Sequence, residues 1–402
     1  MVSRLRPGCA GRGPDSRPCR DAPELPPGGR RGVTPDIVIP DGYRAAVQRA
    51  AFIARSSRSF HQVVGRSPER MLTGILSGAM PPAFESGASV RRGRMPCSAI
   101  LTPKGKLLTD LRVARLGEGE GGALLLDIPE AGTDAALDHL RRYIPPRLAR
   151  VIPPEEPLGI LTVVGPGAAE LLATPDVTAP GATLPNLAAL ESTSEGDLWL
   201  LESESSPGRT SLGLRIVRSG TVTPPAFDLI AAEGTLEALA GRLRERGVPE
   251  GDALVWETLR LEKGRPAYGV EMDEDTLPPE AGIQARCIDF SKGCFTGQEV
   301  IVRIRDRGHV NRRLCGFLLG EAPPPASRVP LFGIEGGQPV GELRSSIRSH
   351  SFGQTIGLGY VRRGVEAPIT LRLGSPEGPA VEVRSLDDAG WVLVAGDSSF
   401  YP

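Results

Sequence analysis

Short strand-like and helix-like segments alternate along the chain from about residue 36 onward, and this alternation constrains the fold more than any other feature. No period of about 20 to 50 residues repeats among them, so the chain does not have the pattern of a repeat protein. Residues 122–129 are typical of a strand, and residues 159–172 of a buried strand that turns into a helix. The alternation predicts a mixed α+β fold.

Capping residues predict where three helices begin and where two of them end. Thr133, Thr235 and Asp252 each precede a segment of helical period and are predicted N-caps. Gly247 and Gly264 follow the last two of these segments, where a left-handed residue is needed to end a helix.

A proline-rich segment at residues 320–330 leaves no room for regular strand pairing and predicts a domain boundary. Short alternating runs broken by Gly and Pro follow it, at about the spacing of a small antiparallel barrel. The predicted organisation is a disordered tail rich in Pro, Gly and Arg over residues 1–35, an α+β region over residues 36–320, and a β-barrel over residues 326–402.

Composition and cysteine spacing exclude several classes of protein. The formal net charge is −1 at pH 7, so no global field favours a nucleic acid or a membrane surface as partner. No stretch approaches the roughly 18 to 20 uninterrupted apolar residues of a membrane span. The six cysteines include no C-x-x-C pair and no Cys/His cluster with zinc spacing, so no metal site is predicted. A reducing, cytoplasmic compartment is the simplest interpretation.

Residues 291–308, with the sequence SKGCFTGQEVIVRIRDRG, hold the cysteine whose surroundings are most suggestive. Thr296 and Glu299 are spaced as a capping box, which predicts a helix that begins at this point. Cys294 would then lie just before a helix N-terminus. Unpaired amides there, together with the charge of Lys292, would favour the ionised form of the thiol.

Two interpretations of Cys294 stay open on this spacing. Gly293 and Gly297 allow another group to approach the backbone closely, which favours a reactive or ligating thiol. A lone cysteine is, however, most often a small buried hydrophobic residue. The functional role of the thiol is therefore a hypothesis.

Residues 259–314 resemble the signature region of YgfZ-type folate-binding proteins, which are relatives of the aminomethyltransferase, or T-protein, of the glycine cleavage system. The core KGCFTGQE at residues 292–299 carries the likeness, because K-G-C-[FY]-x-G-Q-E is the hallmark of these proteins. Weaker similarity runs through residues 101–113 and into residues 340–363, which resemble the T-protein C-terminal barrel.

The resemblance implies a three-lobed, cloverleaf-like α+β fold around a central channel that takes tetrahydrofolate or a one-carbon-substituted folate, with a small C-terminal antiparallel β-barrel. It also implies a role in assembling or maintaining iron–sulfur clusters, notably in radical-SAM enzymes that modify tRNA. It makes Cys294 and Asp110 the candidate catalytic residues. The folate-binding residues that it implies are Lys292, Gly293, Gln298, Glu299, Arg303 and Tyr268.

Three positions depart from the pattern of these relatives. T-proteins carry two adjacent aspartates where this chain has Thr109 and Asp110, and a glutamate that holds the pterin at the position aligned with Pro224. Proline offers neither a carboxylate nor an N–H, so folate must be held differently here or more weakly. Glu271 replaces an aspartate that is common in the family's GxDM stretch, which is a milder change.

Three other interpretations compete with this one. Residues 163–170 have the outline of a dinucleotide loop, but Glu170 at the third glycine position would crowd the helix against the strand. A cysteine hydrolase needs a histidine near Cys294, and His309 would lie about 15 Å away along the predicted helix. Residues 286–313 carry seven basic and three acidic side chains, a modest positive patch that could attract folate's glutamate tail, an iron–sulfur client or tRNA.

The sequence thus predicts a cytoplasmic, folate-binding protein that supports the maturation of iron–sulfur enzymes, with folate and these client enzymes as partners. The alternative is a folate-dependent aminomethyl or one-carbon transferase. Transfer from an aminomethyl donor needs a positioned carboxylate, and Asp110 alone could serve. Direct tRNA contact has weaker support, and no membrane association is predicted.

Overall fold

The structure is a computed structural model, and it describes residues 39–85, 90–116, 122–174, 177, 185–201, 213–326, 328–387 and 391. The predicted disordered tail, residues 1–35, lies outside this part of the chain. Two β-sheets, a closed antiparallel barrel and the helices that cover them make up the described residues. The predicted α+β class with a small C-terminal barrel is therefore confirmed.

The described helices and strands follow one another in three groups. The first group is α1 (Asp41–Gln48), β1 (Ala51–Arg55), β2 (Arg58–Gly65), α2 (Pro68–Ile75), β3 (Val90–Arg94), β4 (Cys97–Leu101), β5 (Leu107–Arg115), β6 (Leu124–Pro129), α3 (Thr133–Tyr143), β7 (Ala149–Ile152), β8 (Leu158–Val164) and α4 (Ala168–Leu172). The second group is α5 (Leu187–Glu191), β9 (Asp197–Leu201), β10 (Leu214–Ser219), β11 (Ala226–Ala232), α6 (Glu233–Glu245), β12 (Glu250–Gly251), α7 (Ala253–Glu262), α8 (Gln284–Cys287) and α9 (Gln298–Arg307). The third group is β13 (Arg312–Leu318), β14 (Val329–Phe332), β15 (Gly341–Ser349), β16 (Gln354–Arg362), β17 (Ile369–Leu373) and β18 (Ala380–Arg384).

The chain passes repeatedly between two sheets. The larger sheet has the strand order β12-β1-β8-β11-β10-β9-β3, and the smaller has the order β4-β5-β6-β2-β7. Strand β1 belongs to the larger sheet and β2 to the smaller, and β3 then returns to the larger before β4 rejoins the smaller. Neither sheet is therefore built from one continuous stretch of chain.

Alternate residues along the strands point to opposite faces and divide the core into layers. In β11, Phe227 and Leu229 pack on the outer face with Leu239 of α6. Ile230 points the other way and shares a buried cluster with Leu125 of β6. The inner faces of the two sheets thus meet in a common apolar layer.

Five charged residues continue this inner layer, and they are called the inter-sheet network: Arg55, Arg58, Arg112, Asp127 and Asp228. Arg112 of β5 donates to Asp127 of β6 at 2.7 Å and to Asp228 of β11 at 2.6 Å, so one guanidinium joins both sheets. Arg58 donates to Asp127 at 2.6 Å, and Arg55 donates to Asp228 at 3.3 Å. Every carboxylate in the network therefore has two arginine partners.

The two carboxylates of the network are stabilised in their ionised form. Burial alone would raise the pKa of Asp127, but Arg112 and Arg58 outweigh that effect and lower the pKa to about 2. The pKa of Asp228 is lowered for the same reason, with Arg112 and Arg55 opposing its burial. Buried charges of this kind tolerate little disturbance, because losing one partner leaves an uncompensated charge.

The C-terminal barrel closes in the strand order β13-β16-β15-β14-β17-β18. Its first strand, β13, precedes the proline-rich segment 320–330, so the barrel includes a strand that the sequence assigned to the preceding region. Trp391 packs against this strand: a Cβ on Gly316 would come within 2.5 Å of its ring. The proline-rich segment is therefore a connection inside the barrel rather than its boundary.

Three of the five predicted helix ends are confirmed. The Asp252 side chain accepts a hydrogen bond from the Val255 amide at 2.9 Å and caps α7. Gly247 and Gly264 follow α6 and α7 with φ values of +72° and +70°, the left-handed region in which glycine is favoured.

The two predicted threonine caps are wrong. Helix α3 begins at Thr133 itself, whose hydroxyl donates back to the Pro129 carbonyl at 3.1 Å. Helix α6 begins at Glu233, so Thr235 lies inside its first turn. In both cases the helix starts earlier than the capping rule indicates, because β11 and a short 3₁₀ turn lead directly into the helices.

A buried glutamate joins α7 to the barrel. Glu262 accepts hydrogen bonds from Tyr43 of α1 at 2.8 Å and from Ser349 of β15 at 2.6 Å. Burial raises its pKa to about 7, although these hydrogen bonds oppose the shift. The folded protein therefore favours the protonated form of Glu262 more than the unfolded chain does.

This shift predicts that Glu262 makes stability depend on pH. Because its folded pKa is raised, its contribution is fully present below about pH 4.5 and is lost as the pH rises towards 7. Glu262→Gln stays neutral, so it should remove this pH-dependent loss in the free energy of unfolding, which is roughly 3 kcal/mol at most. Urea unfolding from pH 4.5 to 8 measures this, with the exposed Glu245→Gln as the control. Parallel curves for the native protein and Glu262→Gln would contradict the prediction.

We also predict that Arg112 is far more important for stability than a surface arginine. Arg112→Met leaves Asp127 and Asp228 with one arginine partner each and should lower the free energy of unfolding by roughly 3 kcal/mol. The matched control is Arg141→Met, because Arg141 pairs with Asp138 at the surface, at 3.5 Å. That change should cost about 1 kcal/mol or less. Equal losses in urea unfolding would show that the network does not hold the sheets together.

Candidate functional site

The cysteine motif forms a turn that leads into α9. Gly297 has a φ of +81° and is the N-cap of this helix, which begins at Gln298. The predicted capping box is wrong: no described side chain caps α9, and Glu299 instead pairs with Arg303 at 2.7 Å. The reason is that Gly297 supplies the left-handed entry, so Thr296 lies too early to act as the cap.

Contacts with the smaller sheet fix this turn. Phe295 is buried in an apolar cluster with Leu107 of β5. A Cβ on Gly297 would come within 2.6 Å of the Thr102 carbonyl oxygen, so the close approach requires glycine. The backbone on the C-terminal side of the cysteine is therefore held by the core of the protein.

Lys292 is held by backbone carbonyls at the end of α2. Its ammonium group donates to the Leu76 oxygen at 2.5 Å and to the Gly78 oxygen at 3.0 Å. Burial lowers its pKa to about 8, and the charge of Asp289 opposes the shift. Lys292 therefore anchors the N-terminal side of the turn. The sequence predicted only an effect of its charge on the thiol and not this structural role.

Cys294 lies between these two anchors as an exposed, free thiol. A Cβ on the preceding Gly293 would meet no described atom within 4 Å, so the space beside the thiol is open. The second free cysteine of the described residues, Cys315, is buried in the barrel. Burial raises its pKa to about 11, which makes it a natural reference for reactivity.

A disulfide corrects the interpretation of the cysteines as a reduced set. Cys97 of β4 and Cys287 of α8 are bonded, with 4.7 Å between their Cα atoms. The two positions are 190 residues apart in sequence, so no local spacing could have indicated the pair. The argument from cysteine spacing to a reducing compartment therefore fails, and the cytoplasmic location stays a prediction.

The other motif residues predicted to bind folate lie near the surface. Glu299 and Arg303 are mostly exposed and pair with each other, and Gln298 accepts a hydrogen bond from the backbone of the turn at 3.4 Å. Arg305 likewise pairs with the adjacent Asp306 at 2.6 Å. Part of the predicted positive patch is thus compensated within α9 itself.

Asp110 is a partly buried residue of the smaller sheet. It is on β5, on the same face as Arg112, and therefore belongs to the layer between the sheets. Its Oδ1 atom is buried and has no hydrogen-bond partner among the described residues. Burial raises the pKa of Asp110, while the charges of Arg58 and Arg286 oppose that shift. A carboxyl oxygen without a partner is well placed to accept a hydrogen bond from a ligand.

Tyr268 connects Asp110 with the cysteine motif. It packs against the same apolar cluster as Phe295. Burial raises its pKa to about 12, and the charges of Glu274, Asp273 and Asp110 add to the shift. Tyr268 thus packs against the cluster that holds the cysteine motif and is close enough to Asp110 to be affected by its charge.

Glu271 holds the loop that carries Tyr268. Its carboxylate receives two hydrogen bonds from Arg260 of α7, at 2.9 and 3.1 Å, and one from the Ala267 amide at 2.8 Å. It also accepts a hydrogen bond from Ser345 of the barrel. The substituted residue therefore joins α7, the loop and the barrel, which is a structural role.

A pocket of ≈ 210 Å³ opens beside Pro224 and is called the Pro224 pocket. Its wall includes these residues: Glu195, Arg218, Ser219, Pro224, Lys263 and Arg265. Glu195 is paired with Arg286, whose Nε lies 3.0 and 3.2 Å from its two oxygens. Burial would raise the pKa of Glu195, but its hydrogen bonds with Arg286 and the charges of Arg286 and Arg265 outweigh that effect and lower it.

Sequence reasoning missed the charged residues of this pocket. Glu195, Lys263 and Arg265 come from separated segments and share no motif. The signal that pointed here was Pro224, whose side chain replaces a carboxylate in the pattern of the relatives. The charge of the pocket could be seen only after the fold had brought these segments together.

Other kinds of site have less support. His309, the histidine nearest to Cys294 in sequence, is exposed and contacts the Arg363 guanidinium. Among the described residues, no group of three or more His, Cys, Asp or Glu side chains could hold a metal ion. None of the described helices is both long and apolar enough to cross a membrane.

Comparison with known proteins supports a T-protein-like family. Residues 312–384 match the glycine cleavage T-protein C-terminal barrel domain. An aminomethyltransferase of Rubrobacter xylanophilus is 29% identical over 269 residues, which cover 67% of this chain and 66% of that protein. A putative chloroplastic transferase of Arabidopsis thaliana is 32% identical over 135 residues, covering 34% of this chain and 30% of the relative.

A solved structure shares the fold. The glycine cleavage system aminomethyltransferase T from Bartonella henselae matches with a TM-score of 0.68 and 21% sequence identity, covering 86% of this chain and 88% of that one. The chain thus has a T-protein-like fold that extends well beyond the barrel. Its assignment to YgfZ-type proteins stays a prediction.

We predict that Cys294 reacts quickly with alkylating agents and adds little to stability. In the native protein it should be labelled well before the buried Cys315, as peptide mapping by mass spectrometry can show. Cys294→Ala should change the free energy of unfolding by about 1 kcal/mol or less, because an exposed turn leaves no cavity. Cys315→Ala, in the barrel core, should cost more. Labelling of Cys294 no faster than Cys315 would contradict the exposure argument.

Proposed function

We propose that this protein binds a folate and supports the assembly or maintenance of iron–sulfur clusters in client enzymes, as the resemblance to YgfZ-type proteins implies. The observation that carries the proposal is the exposed Cys294 thiol, which the KGCFTGQE turn presents to solvent between two anchored ends. A thiol held in this way is available to a macromolecular client. The wider fold, shared with aminomethyltransferases, supports folate as the ligand.

The residues fit tetrahydrofolate at Asp110 and not at Pro224. The buried, unpartnered oxygen of Asp110 offers the hydrogen-bond acceptor that an N–H of a pterin or of an amine requires. Pro224 offers neither a carboxylate nor an N–H. Tyr268, whose pKa is raised in part by the charge of Asp110, is the second residue that would contact the ligand. Bound tetrahydrofolate would supply amine nitrogens that carry a one-carbon unit.

Asp110 would orient the folate and hold a proton. Its raised pKa brings the carboxyl group closer to neutral pH, where a group can both accept and donate a proton effectively. The inter-sheet network beside it fixes the position of β5, so the carboxyl group is held rigidly. These properties suit binding as well as acid–base chemistry.

A folate-dependent aminomethyltransferase is the second candidate, and the names of the relatives favour it. Two observations weaken it. Thr109 occupies the position of one aspartate of the T-protein pair, and Pro224 occupies that of the pterin-binding glutamate. Glu195, a carboxylate near Pro224, is already paired with Arg286 and does not replace the missing group.

Partners and location follow from the proposal. Iron–sulfur enzymes of the radical-SAM class are the proposed clients, and the cytoplasm is the proposed compartment. Direct contact with tRNA is less well supported, because Arg303 and Arg305 of α9 are paired with Glu299 and Asp306. A client protein that meets Cys294 needs no nucleic-acid surface.

We predict that Asp110→Asn weakens folate binding without weakening the fold. Losing a charged hydrogen-bond acceptor should reduce the affinity for tetrahydrofolate about ten-fold or more, as calorimetry can measure. Thermal stability at neutral pH should stay equal or rise, because a buried carboxyl with a raised pKa is unfavourable when ionised. The exposed Asp138→Asn is the matched control. Unchanged affinity for folate would remove Asp110 from the site.

Assays in cells can distinguish the two candidate functions. A deletion strain is assayed for radical-SAM-dependent tRNA modification and for glycine cleavage, and is complemented with the native protein, Cys294→Ala or Asp110→Asn. The maturation proposal expects loss of tRNA modification, restored by the native protein and not by Cys294→Ala. Loss of glycine cleavage alone, restored by Cys294→Ala, would favour the transferase and overturn the proposal.

A further inference from the structure

The Pro224 pocket carries more positive than negative charge. Arg218, Lys263 and Arg265 line it together with one carboxylate, that of Glu195. Arg286, which lies beside the pocket, holds that carboxylate through two nitrogens. Glu195 is also 3.9 Å from Arg265, so Arg286 and Arg265 share its negative charge, and the three lining cations still outnumber the one lining carboxylate.

We propose that the Pro224 pocket binds an oxyanion, the carboxylate or phosphate group of a small-molecule ligand, through Lys263, Arg265 and Arg218. The inference goes beyond the proposed function and does not require that a folate is the ligand. It rests on the placement of these three side chains around one cavity.

Lys263 is the residue on which the site depends. Its side chain is half-buried and makes no hydrogen bond or ion pair with any residue that the structure describes. Burial lowers the pKa of Lys263, and the like charges of Arg265 and Arg218 lower it further, while the charge of Glu195 opposes the shift. A half-buried ammonium group near two guanidinium groups is unfavourable until an anion joins them.

Both arginines are held in place by backbone carbonyl groups, and the Arg265 guanidinium also lies 3.9 Å from the Glu195 carboxylate. Arg218 donates to the Ser219 and Ala226 carbonyl oxygens at 3.0 and 2.9 Å. Arg265 donates to the Gly220 carbonyl oxygen at 3.1 Å. Carbonyl groups position a guanidinium without cancelling its charge, so Arg218 keeps its charge, and both arginines keep further N–H donors for a ligand.

The chemistry of the wall selects an oxyanion over an uncharged ring. Pro224 offers no donor and no carboxylate, and the three cations offer donors only. The Ser219 hydroxyl adds a neutral donor at the wall. Carboxylate and phosphate groups accept several charged hydrogen bonds at once, which is the arrangement that this pocket presents.

The first experiment titrates the full-length protein with inorganic phosphate and with glutarate in low-salt buffer, using calorimetry. Low salt matters because screening weakens interactions between accessible charges. Binding to the native protein should be weakened about ten-fold or more by Lys263→Gln, the size expected for one charged hydrogen bond. Lys263→Arg, which keeps the charge, should retain most of the affinity.

The matched control is Lys104→Gln, which removes the same charge from an exposed position outside the pocket. It should leave anion binding unchanged, and thermal melting confirms that each variant is folded. Two results would overturn the proposal: neither anion binds the native protein, or Lys263→Gln and Lys104→Gln have equal effects.

A second titration distinguishes the source of the oxyanion and separates this inference from the proposed function. Tetrahydrofolate with one glutamate and with three are compared, with and without phosphate. If longer tails bind more tightly, and phosphate and Lys263→Gln abolish the gain, the folate tail supplies the oxyanion. If phosphate binds and folate does not, the proposed oxyanion site is supported and the proposed folate function is wrong. If folate binds and is insensitive to phosphate and to Lys263→Gln, the oxyanion site is overturned.

Discussion

The hydrogen bonds from Arg112 to Asp127 and Asp228 join two sheets between which the chain alternates. Because β1 and β2, and then β3 and β4, alternate between the sheets, neither sheet can shift without straining the connections to the other. The apolar layer around Leu125 and Ile230 holds one part of the interface, and the inter-sheet network holds the charged part. An apolar contact would allow small slips, whereas paired charges with fixed geometry do not. The position of every residue on the inner face of β5 follows from this constraint.

Asp110 shows what that rigidity permits. It shares a face with Arg112, yet Arg58 is committed to Asp127 and Arg286 to Glu195, so both act on its unpartnered oxygen only as charges. A buried oxygen without a partner costs stability and survives only where the surrounding structure holds it. The inter-sheet network supplies that support. The same logic applies to Lys263, which remains without a described partner while Glu195 is committed to Arg286.

The sequence predicted the parts of this structure that depend on local pattern. The α+β class, the cap at Asp252 and the glycine ends at Gly247 and Gly264 follow from hydrophobic period and backbone preference, which act over a few residues. The predicted capping box at Thr296 was wrong because α9 begins after Gly297, whose close contact with Thr102 requires glycine. The barrel boundary failed because β13 pairs with strands that follow the proline-rich segment. The disulfide between Cys97 and Cys287 and the charges of the Pro224 pocket come from distant segments, which no local rule brings together.

Pro224 and Glu271, two positions that depart from the pattern of the relatives, have different surroundings in the folded protein. The resemblance to T-proteins implies a carboxylate at the position of Pro224, and the wall around this proline has three cations, Arg218, Lys263 and Arg265, and one carboxylate, Glu195. Glu271 contacts both Arg260 and the barrel, and so holds the loop that carries Tyr268. One substitution alters what the pocket can bind, and the other preserves the frame around it. Under our proposal the chain keeps the T-protein-like frame while one pocket takes an oxyanion, which is a different ligand contact and not merely weaker binding of the same one.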